Sequence, residues 1–315
     1  MAPQVSVVIP TYHRAEFLRG AVRSVLGQTF EDFEVVVVDD GGPDGAAEVI
    51  EGFNDSRIRY LRHPERRGGA AARNTGIANA RGEYVAFLDD DDEWLEEKLE
   101  RQMRMMLASP RAVGAVYTGY YIVDRSSGRT CGRIIPRKRG RLYPAILAGN
   151  CVGGTSSVLV RKSSLERSGL FDETLPSFQD YDLWIRIARH FEFDCIAEPM
   201  LKYFMQPDKI WTDVEALRQG LDIMLGKYGS SPSFRKKSSS YCIAFGVRFC
   251  EKHQFEQARK SFLKAAMLSP LDARPYVYLA LACLGSRRFE RAQIAKAKLL
   301  GKLRKSLSPG REPHA

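Results

Sequence analysis

The sequence predicts an α/β fold with a mixed, mainly parallel sheet, followed by a small all-α region. Apolar runs at residues 5–10 and 33–38 are typical of strands buried on both faces. Between them, apolar residues over 17–26 recur at helical spacing, so a strand, a helix and a strand follow one another. Such a unit implies parallel strands joined by a right-handed crossover. After residue 241 the pattern changes to helices with small residues at their contacts.

The elements that follow extend the α/β pattern over the first 215 residues. Short apolar runs predict strands, and longer segments with apolar residues three or four apart predict helices. A segment rich in Arg and Lys, residues 133–141, is expected to form a loop. In chain order, the prediction is a helix over 46–53, a strand over 58–61, a helix over 70–80, a strand over 84–88, a helix over 94–107, strands over 113–121 and 155–160, and a helix over 181–190.

At 315 residues the chain exceeds one average domain, and its composition divides it into four segments. Residues 1–215 form the predicted α/β domain, and the polar residues 216–240 are predicted to be a linker. Residues 241–303 are predicted to be helical. Residues 304–315 are predicted to be a disordered tail, because they are polar and contain Pro and Gly.

The helical segment 241–303 resembles a pair of tetratricopeptide hairpins, one well matched and one degenerate. A plain helical hairpin with Ala-rich packing remains the alternative. Since repeats of this kind bury their apolar faces against neighbours, we expect the segment to pack on the α/β domain, on a protein partner or on a second copy of the chain. The matching positions are Gly246, Phe249, Phe255, Ala258, Phe262, Ala265 and Pro270, with weaker counterparts at Ala280, Phe289 and Ala292.

The formal charge of +10 is distributed unevenly along the chain. Residues 216–315 carry 20 Lys and Arg against 6 Asp and Glu, whereas residues 1–215 carry 28 against 32. A basic region of this kind either forms a solvated surface or attracts an anionic membrane, an acidic partner or nucleic acid. Nucleic acid is not expected, because the one RGG sequence, within residues 66–69, has no repeats around it.

The composition is that of a protein outside the membrane. Hydrophobic residues make up 44% of the chain, mean hydropathy is −0.29, and no run approaches the roughly 18 apolar residues that a spanning helix needs. Residues 1–4 lack the basic start of a signal peptide, so we expect a cytoplasmic protein. The six Cys and five His residues show no ligand spacing, which disfavours zinc and disulfide bonds.

Carboxylates gather where two predicted strands end. Asp39 and Asp40 follow the second strand, and four aspartates, 89–92, follow the fourth. Both groups should lie at the carboxyl edge of the sheet, where open α/β sheets bind ligands. Four adjacent carboxylates repel one another unless solvent or a hard divalent cation offsets their charge. The alternative is that they cap the helix predicted to start near Trp94.

Five motifs in sequence order resemble the family 2 glycosyltransferases of the GT-A fold. The resemblance covers about residues 3–210 and leaves the helical C-terminal region out. It implies an inverting transferase that uses a nucleotide sugar, with the donor on the N-terminal half of the domain and the acceptor on the second half. The motifs are VSVVIPTY at 5–12, SVLGQTF at 24–30, VDDG at 38–41, ARNTG at 72–76 and GEYVAFLDDDD at 82–92.

For the donor diphosphate, the resemblance implies a metal-binding DxD element at the aspartate run. Asp91 corresponds to its metal-binding carboxylate, and Asp89 and Asp90 lie nearer the ribose or support the site. Because four aspartates are adjacent, a register shifted by one residue stays open. A divalent cation would offset the charge that develops on the leaving diphosphate. An all-oxygen site favours Mg²⁺ or Mn²⁺.

For the nucleotide, the resemblance assigns further residues of the N-terminal half. Asp39 and Asp40 are expected to recognise the base, with Asp40 the preferred contact, because a carboxylate accepts the imide N–H of uracil or thymine. A UDP- or dTDP-sugar is therefore favoured. The alternative is a polar turn that closes the strand. Thr11 is expected in the same pocket, and Arg73 near the diphosphate, where a guanidinium binds two oxygens at once.

An inverting displacement also needs a general base to take the proton of the acceptor hydroxyl. Asp180 matches the aspartate of the family's Glu-Asp element, but Gln179 stands where a glutamate is common, which leaves that glutamate's acceptor contact in doubt. Asp182 is the competing candidate for the base, or a carboxylate in the first turn of a helix.

The acceptor is expected to be a glycan, a lipid-linked glycan or a protein, modified without processive polymerisation. The processive synthases of the family carry a Gln-x-x-Arg-Trp motif and membrane helices, and the sequence has neither. Many relatives carry a phosphate-binding histidine where this chain has residues 203–208. A lipid-linked acceptor would bring the enzyme to the inner face of a membrane, in contact with its anionic surface.

Two functions of other kinds remain as alternatives. The first is a catalytically weak sugar-nucleotide-binding or scaffold protein that recruits partners through its helical C-terminal region; intact Asp91, Arg73 and Asp180 argue against it. The second is a nucleotidyltransferase on a related fold. It would need a Gly-rich, Lys-bearing phosphate loop after the first strand, and residues 10–14 do not form one.

Overall fold

The computed structural model describes residues 2–43, 45–205 and 213–284, and it divides into two compact units, 1–224 and 225–315. The first unit is built on one mixed sheet with helices packed against it, which confirms the predicted α/β class. The strands are β1 Val5–Thr11, β2 Phe33–Asp39, β3 Ile58–Arg62, β4 Tyr84–Phe87, β5 Asp92–Trp94, β6 Val113–Asp124, β7 Thr130–Ile134, β8 Val158–Arg161 and β9 Glu192–Met205.

The strand order is β3-β2-β1-β4-β8-β6-β9-β5, with β7 paired to β6 outside this path. The first four strands are parallel neighbours, as the βαβ pattern predicted. Strand β8 is antiparallel to both β4 and β6, so it joins the two halves of the sheet. The carboxyl ends of β1, β2 and β4 therefore lie at one edge, next to the segment that leads into β8.

Helices cover the sheet, and their apolar faces form the core. Residues of β1 and β2 are buried throughout, because both faces of these strands are packed. Helix α1 contributes Leu18, Val22 and Val25 to the same cluster. The helices of the first unit are α1 Ala15–Leu26, α2 Ala46–Glu51, α3 Gly69–Asn79, α4 Lys98–Ala108, α5 Lys162–Ser168 and α6 Gln179–Ala188, and α7 Val214–Tyr228 contains the boundary between the units.

The helix predicted from residue 94 begins four residues later, at Lys98. Trp94 instead belongs to β5, which pairs antiparallel with β9, and its indole N–H donates to the carbonyl of Ser156 at 2.8 Å. Because Trp94 is buried in the sheet, the chain is not helical at residue 94, although the apolar spacing over 94–107 predicted a helix there. The aspartates at 89–92 therefore do not cap α4, and that reading of the aspartate run is wrong.

Three strands, β5, β7 and β9, were not anticipated from the sequence, and one was misplaced. Strand β9 is polar in part and contains Pro199, where its pairing with β6 shifts register. Strand β7 is exposed along most of its length, so it carries no buried apolar run. The strand predicted over 155–160 begins at Val158, because residues Thr155–Ser157 form a single 3₁₀ turn.

The second unit consists of helices α8 Pro232–Glu251, α9 Phe255–Leu268 and α10 Ala273–Cys283. Gly246 of α8 lies so close to Phe262 of α9 that an added Cβ would stand 2.3 Å from the ring. Phe262 in turn stacks on Tyr278 of α10, with ring centroids 5.5 Å apart. Gly246 and Phe262 are positions that the repeat pattern singled out, and Tyr278 is not.

Residues 216–240, predicted to be a linker, are mostly helical, so that prediction is corrected. They belong to α7 and α8, separated by a short turn. Pro232 stands in the first turn of α8, and the Ser231 side chain accepts the backbone N–H of Phe234 at 3.4 Å. The serines that suggested a linker are partly buried: the Ser239 hydroxyl donates to the carbonyl of Ala265 at 2.8 Å.

Several predictions concern residues that the structure does not describe. They are the helical prediction for 285–303, including the degenerate repeat at Phe289 and Ala292, the tail at 304–315, and residues 206–208 in the position of the family's histidine. Within the ranges that are described, no helix is both long and apolar enough to cross a membrane.

Candidate active site

The carboxyl ends of three parallel strands form one side of the site. Thr11 ends β1, Asp39 ends β2, and Asp89 follows β4 after one further residue. The carbonyl of Thr11 accepts the backbone N–H of Asp40 at 2.9 Å, which joins the first two strand ends. Thr11, Asp39 and Asp40 are all buried. The sequence-predicted donor residues therefore lie at one edge of the sheet, as expected for an open α/β sheet.

Three of the four adjacent aspartates form an oxygen-rich cluster. One carboxylate oxygen from each of Asp89, Asp91 and Asp92 lies within 4.8 Å of the others. Asp91 and Asp92 are buried, and Asp89 is partly exposed at the edge of the cluster. Three carboxylates at this spacing match the all-oxygen ligand set of Mg²⁺ or Mn²⁺, so the residues fit the predicted metal.

Neighbouring residues hold the two outer carboxylates of the cluster. Asp89 accepts hydrogen bonds from Arg73 Nη2 at 2.6 Å and from the Thr155 hydroxyl at 3.1 Å. Asp92 accepts the Ser156 hydroxyl at 2.8 Å and the backbone N–H of Phe204 at 3.3 Å. Because Thr155 and Ser156 belong to the turn before β8, this turn fixes the shape of the acidic cluster.

Asp90 lies directly beside the cluster. Burial, followed by the charge of Asp91, raises the pKa of Asp90 to about 7. Arg14 opposes this rise, with its Nη1 3.5 Å from Asp90 Oδ1. Near neutral pH the protein thus holds a proton at Asp90 in part, which lowers the repulsion among the four carboxyl groups.

Asp39 and Asp40, predicted to recognise the base, are both hydrogen-bonded within the protein. Asp39 accepts the backbone N–H groups of Gly41 and Gly42 at 3.1 and 3.0 Å and the Tyr60 hydroxyl at 2.6 Å. Asp40 accepts a backbone N–H from Gly68 at 2.7 Å, and its other oxygen lies 2.8 Å from His63 Nδ1.

Asp40 receives one further backbone N–H, from Arg67 at 2.8 Å. Its carboxylate therefore shapes the loop that leads into α3. The polar-turn alternative considered from the sequence accounts for the bonds from Gly41 and Gly42 to Asp39, but not for the bonds that Asp40 makes.

Arg73 connects the acidic cluster with the opposite side of the site. Besides its ion pair with Asp89, it donates from Nη1 to Gln179 Oε1 at 3.3 Å. Helix α3 is held to the loop before α6 by Asn74, whose side chain donates to the carbonyl of Phe171 and accepts its N–H, both at 2.9 Å. The ARNTG motif thus places a guanidinium between the two halves of the site.

Asp180, the predicted general base, lies in the first turn of α6. Burial raises the pKa of Asp180 to about 6, against the opposing effects of the Tyr181 backbone N–H and of Arg73. The negative charge of Asp89 raises this pKa further. A carboxyl group tuned toward neutrality next to a charged cluster has the properties of a general base.

Asp182, the competing candidate, has a structural role. Its carboxyl group is fully buried and pairs with Arg186 Nε at 2.8 Å. The remaining nitrogens of Arg186 donate to the carbonyls of Ser168, Gly169 and Leu170 at 2.7 to 2.9 Å. This pair fastens α6 to the loop after α5, and it favours Asp180 as the base.

Four residues at the site were not singled out from the sequence. Arg14 pairs with Asp91 at 3.0 Å, and Thr155 bonds Asp89. Asn150 Nδ2 lies 3.4 Å from Asp180 Oδ2, and the charge of Asp180 contributes to the raised pKa of Tyr120. No motif marks Asn150 or Tyr120. The position of Arg14, three residues after β1, is a signal that could have marked it.

The chain belongs to glycosyl transferase family 2, whose family model matches residues 6–168, about half of the 315 residues. Among curated relatives, an uncharacterized glycosyltransferase of Rickettsia felis is 35% identical over 192 residues, which are 59% of this chain and 32% of that protein. This chain thus spans about a third of the length of that relative.

A further relative matches over nearly its whole length. The Escherichia coli UDP-Glc:alpha-D-GlcNAc-diphosphoundecaprenol beta-1,3-glucosyltransferase WfgD is 30% identical over 256 residues, or 80% of this chain and 96% of WfgD.

Solved structures share the fold. Residues 1–349 of S. aureus TarS in complex with UDP superpose with a TM-score of 0.63 at 16% identity, covering 92% of each chain. The mannosyltransferase PcManGT of Pyrobaculum calidifontis, in complex with GDP-Man and Mn²⁺, superposes with a TM-score of 0.58 at 20% identity, covering 90% of this chain and 81% of that one. The GT-A fold that the motifs implied is thereby confirmed.

Proposed function

We propose that the protein is a metal-dependent, inverting glycosyltransferase that moves one sugar from a nucleoside diphosphate to an acceptor hydroxyl. One observation carries this proposal: Asp180, with a pKa raised to about 6, lies within the electrostatic influence of both Arg73 and Asp89. The proposed base, Asp180, and the proposed diphosphate-binding guanidinium, that of Arg73, thus lie near each other where the two halves of the sheet join. The family membership supports the same reaction class.

In the proposed reaction, Asp180 accepts the proton of the acceptor hydroxyl while that oxygen attacks the anomeric carbon. The bond between the anomeric carbon and the diphosphate oxygen breaks on the opposite face, so the configuration inverts. Arg73 would bind the departing diphosphate, because a guanidinium can donate to two of its oxygens. A divalent cation at Asp91, with Asp89 and Asp92, would supply charge compensation for the leaving group.

For the donor, we propose a UDP- or dTDP-sugar held at the ends of β1 and β2. Thr11, Asp39 and Asp40 line this edge, and Asp40 stays the preferred contact for the base. Both carboxylates also accept hydrogen bonds from neighbouring backbone N–H groups, Asp39 from Gly41 and Gly42 and Asp40 from the loop that enters α3. WfgD is named for UDP-Glc, and TarS is solved with UDP, which supports a uracil nucleotide.

For the acceptor, we propose a lipid-linked glycan at the anionic inner face of a membrane. Residues 125–165, in the acceptor half of the domain, contain nine Lys and Arg and no Asp or Glu. Seven of these cations, Arg129, Arg133, Arg137 and Lys138 among them, have no acidic partner within the ranges that the structure describes. Such a stretch suits the phosphate groups of a lipid diphosphate or of the surrounding headgroups. WfgD is named for a diphosphoundecaprenol acceptor.

The proposal is tested by screening nucleotide sugars for release of the nucleoside diphosphate with Mn²⁺, with Mg²⁺ and with EDTA. We expect one or a few UDP- or dTDP-sugars to be turned over, only with a divalent cation. Asp182→Asn is the control for any variant of Asp180, because it removes a carboxylate from the same helix without removing the proposed base. Release that is equally fast in EDTA would contradict metal dependence. Binding of a nucleotide sugar without turnover, with or without acceptor lipid, would support the scaffold alternative.

A further inference from the structure

Arg14 lies against the acidic cluster. Its carbonyl accepts the backbone N–H groups of Phe17 and Leu18 at 2.9 and 3.0 Å, which fixes its main chain at the start of α1. From there the side chain reaches Asp91, with Nη1 3.0 Å from Oδ2. The same nitrogen lies 3.5 Å from Asp90. The Asp91 side chain is 3% exposed and that of Arg14 is 29% exposed, so Arg14 is the more accessible partner of this ion pair.

Two guanidinium groups together compensate the carboxylates that fit a metal ion. Arg73 pairs with Asp89 at 2.6 Å, and Arg14 pairs with Asp91. Without such partners, three carboxylate oxygens within 4.8 Å of one another would repel strongly in a buried position. The protein thus carries its own positive charge where the sequence predicted a divalent cation.

We propose that Arg14 is a resident counter-ion, which stays paired with Asp91 until the donor binds and then pairs with the donor diphosphate. Because the metal and the diphosphate together release Arg14 from Asp91, each of the two ligands strengthens the binding of the other. This inference rests on the proposed function. A divalent cation approaching alone must displace the guanidinium from Asp91 and break this 3.0 Å ion pair. When a diphosphate enters with the metal, the guanidinium gains two phosphate oxygens in exchange for the carboxylate.

The strength of this coupling follows from the charges. A guanidinium that stays beside the cluster repels a doubly charged cation, and this repulsion is several-fold stronger in a partly buried site than in water. Couplings between two ligands of one protein are typically about 5- to 150-fold in affinity. We therefore expect the Mn²⁺ affinity of the protein to rise by at least about tenfold when UDP is present.

The experiment measures Mn²⁺ binding directly, by titration with electron paramagnetic resonance of the free ion, without any turnover. The full chain is compared with Arg14→Gln and Arg14→Lys, with and without UDP. Arg14→Gln is expected to bind Mn²⁺ alone about tenfold more tightly than the unchanged protein and to show a smaller gain on adding UDP. Arg14→Lys keeps the charge and should bind Mn²⁺ alone as weakly as the unchanged protein.

Arg66→Gln is the matched control. The Arg66 guanidinium lies 4.6 Å from the centroid of the Tyr12 ring, and Tyr12 belongs to the same segment as Arg14. The substitution removes the same charge near the site, but Arg66 makes no ion pair with the cluster. Its Mn²⁺ affinity should stay within about twofold of the unchanged protein, since exposed charges are screened. A circular-dichroism melt of each variant establishes that it is folded.

The outcomes separate this inference from the function on which it rests. If Arg14→Gln and the unchanged protein bind Mn²⁺ alone with equal affinity, while UDP still strengthens binding in both, the counter-ion role is wrong and the metal site stands. If Asp91→Asn binds Mn²⁺ as well as the unchanged protein in the presence of UDP, the metal assignment itself fails, and the inference fails with it. If Arg66→Gln gains as much Mn²⁺ affinity as Arg14→Gln, the gain comes from the loss of any positive charge near the site, and the counter-ion role of Arg14 is wrong.

Discussion

Replacing Asp180 by Asn should separate binding from chemistry at this site. The substitution keeps the size of the side chain but removes the group that accepts the proton. We expect nucleotide and metal binding to persist and transfer to fall by about 10² to 10⁴, the range for a lost general base. Calorimetric titration of UDP with Mn²⁺ and a transfer assay, run on the same preparation, measure the two quantities.

The same substitution should also stabilise the fold at neutral pH. The pKa of Asp180 is raised from 3.8 to about 6, so the folded protein holds the proton more tightly than the unfolded chain. Stability therefore falls as pH rises through this interval, and above about pH 6 the ionised carboxylate costs up to about 3 kcal/mol. Urea unfolding at pH 7 should show Asp180→Asn to be more stable by up to that amount, with the difference vanishing near pH 3.5.

The pH dependence of the unchanged enzyme checks the mechanism independently. If the ionised form of Asp180 is the base, the transfer rate should fall about tenfold per pH unit below about pH 6 and level off above it. Asp182→Asn is the control, and it should destabilise the fold by breaking the buried pair with Arg186 while leaving this profile in place. If Asp182→Asn caused the large loss of rate in a folded protein, and Asp180→Asn a small one, the base would lie two residues later.

Three further predictions concern the metal, the helical unit and the membrane. Asp91→Ala should lower transfer by about 10² or more with the fold intact, and near-normal turnover with unchanged metal dependence would contradict this assignment. Gly246→Ala should destabilise the second unit by about 1–3 kcal/mol in urea unfolding, because its Cβ would overlap Phe262; equal stability would refute that packing. The full chain should co-sediment with anionic but not neutral vesicles at low salt, and a chain ending at Ser230, which keeps the basic stretch 125–165, should bind them more weakly; equal binding would reject a membrane role for residues 231–315.

Much of the donor half could be predicted because its signals are local. Strands buried on both faces leave continuous apolar runs, and the residues that follow such runs fall at one edge of a parallel sheet. Asp39, Asp89 and Asp91 were located in this way. Arg73 and Asp180, more than 100 residues apart, came instead from the motif resemblance, and in the structure they lie close enough for the charge of Arg73 to oppose the rise in the pKa of Asp180.

The rest depended on contacts between distant segments. The start of α4 was predicted four residues early, because the apolar spacing fits a helix from residue 94 and gives no sign that β5 pairs with β9. The pairing of Arg14 with Asp91 and the approach of Asn150 to Asp180 join residues that share no motif. The linker prediction failed because buried serines in α8 have the same composition as a flexible segment.

The central claim is an inverting displacement assisted by Asp180, and the configuration of the first-formed product tests it most directly. Proton magnetic resonance of the anomeric position, followed during transfer from an α-linked UDP- or dTDP-sugar with Mn²⁺, reports this configuration before any equilibration. The account predicts a β-configured product that forms at least about 10²-fold more slowly with Asp180→Asn. An α-configured product, or a β product formed equally fast by the variant, would contradict it.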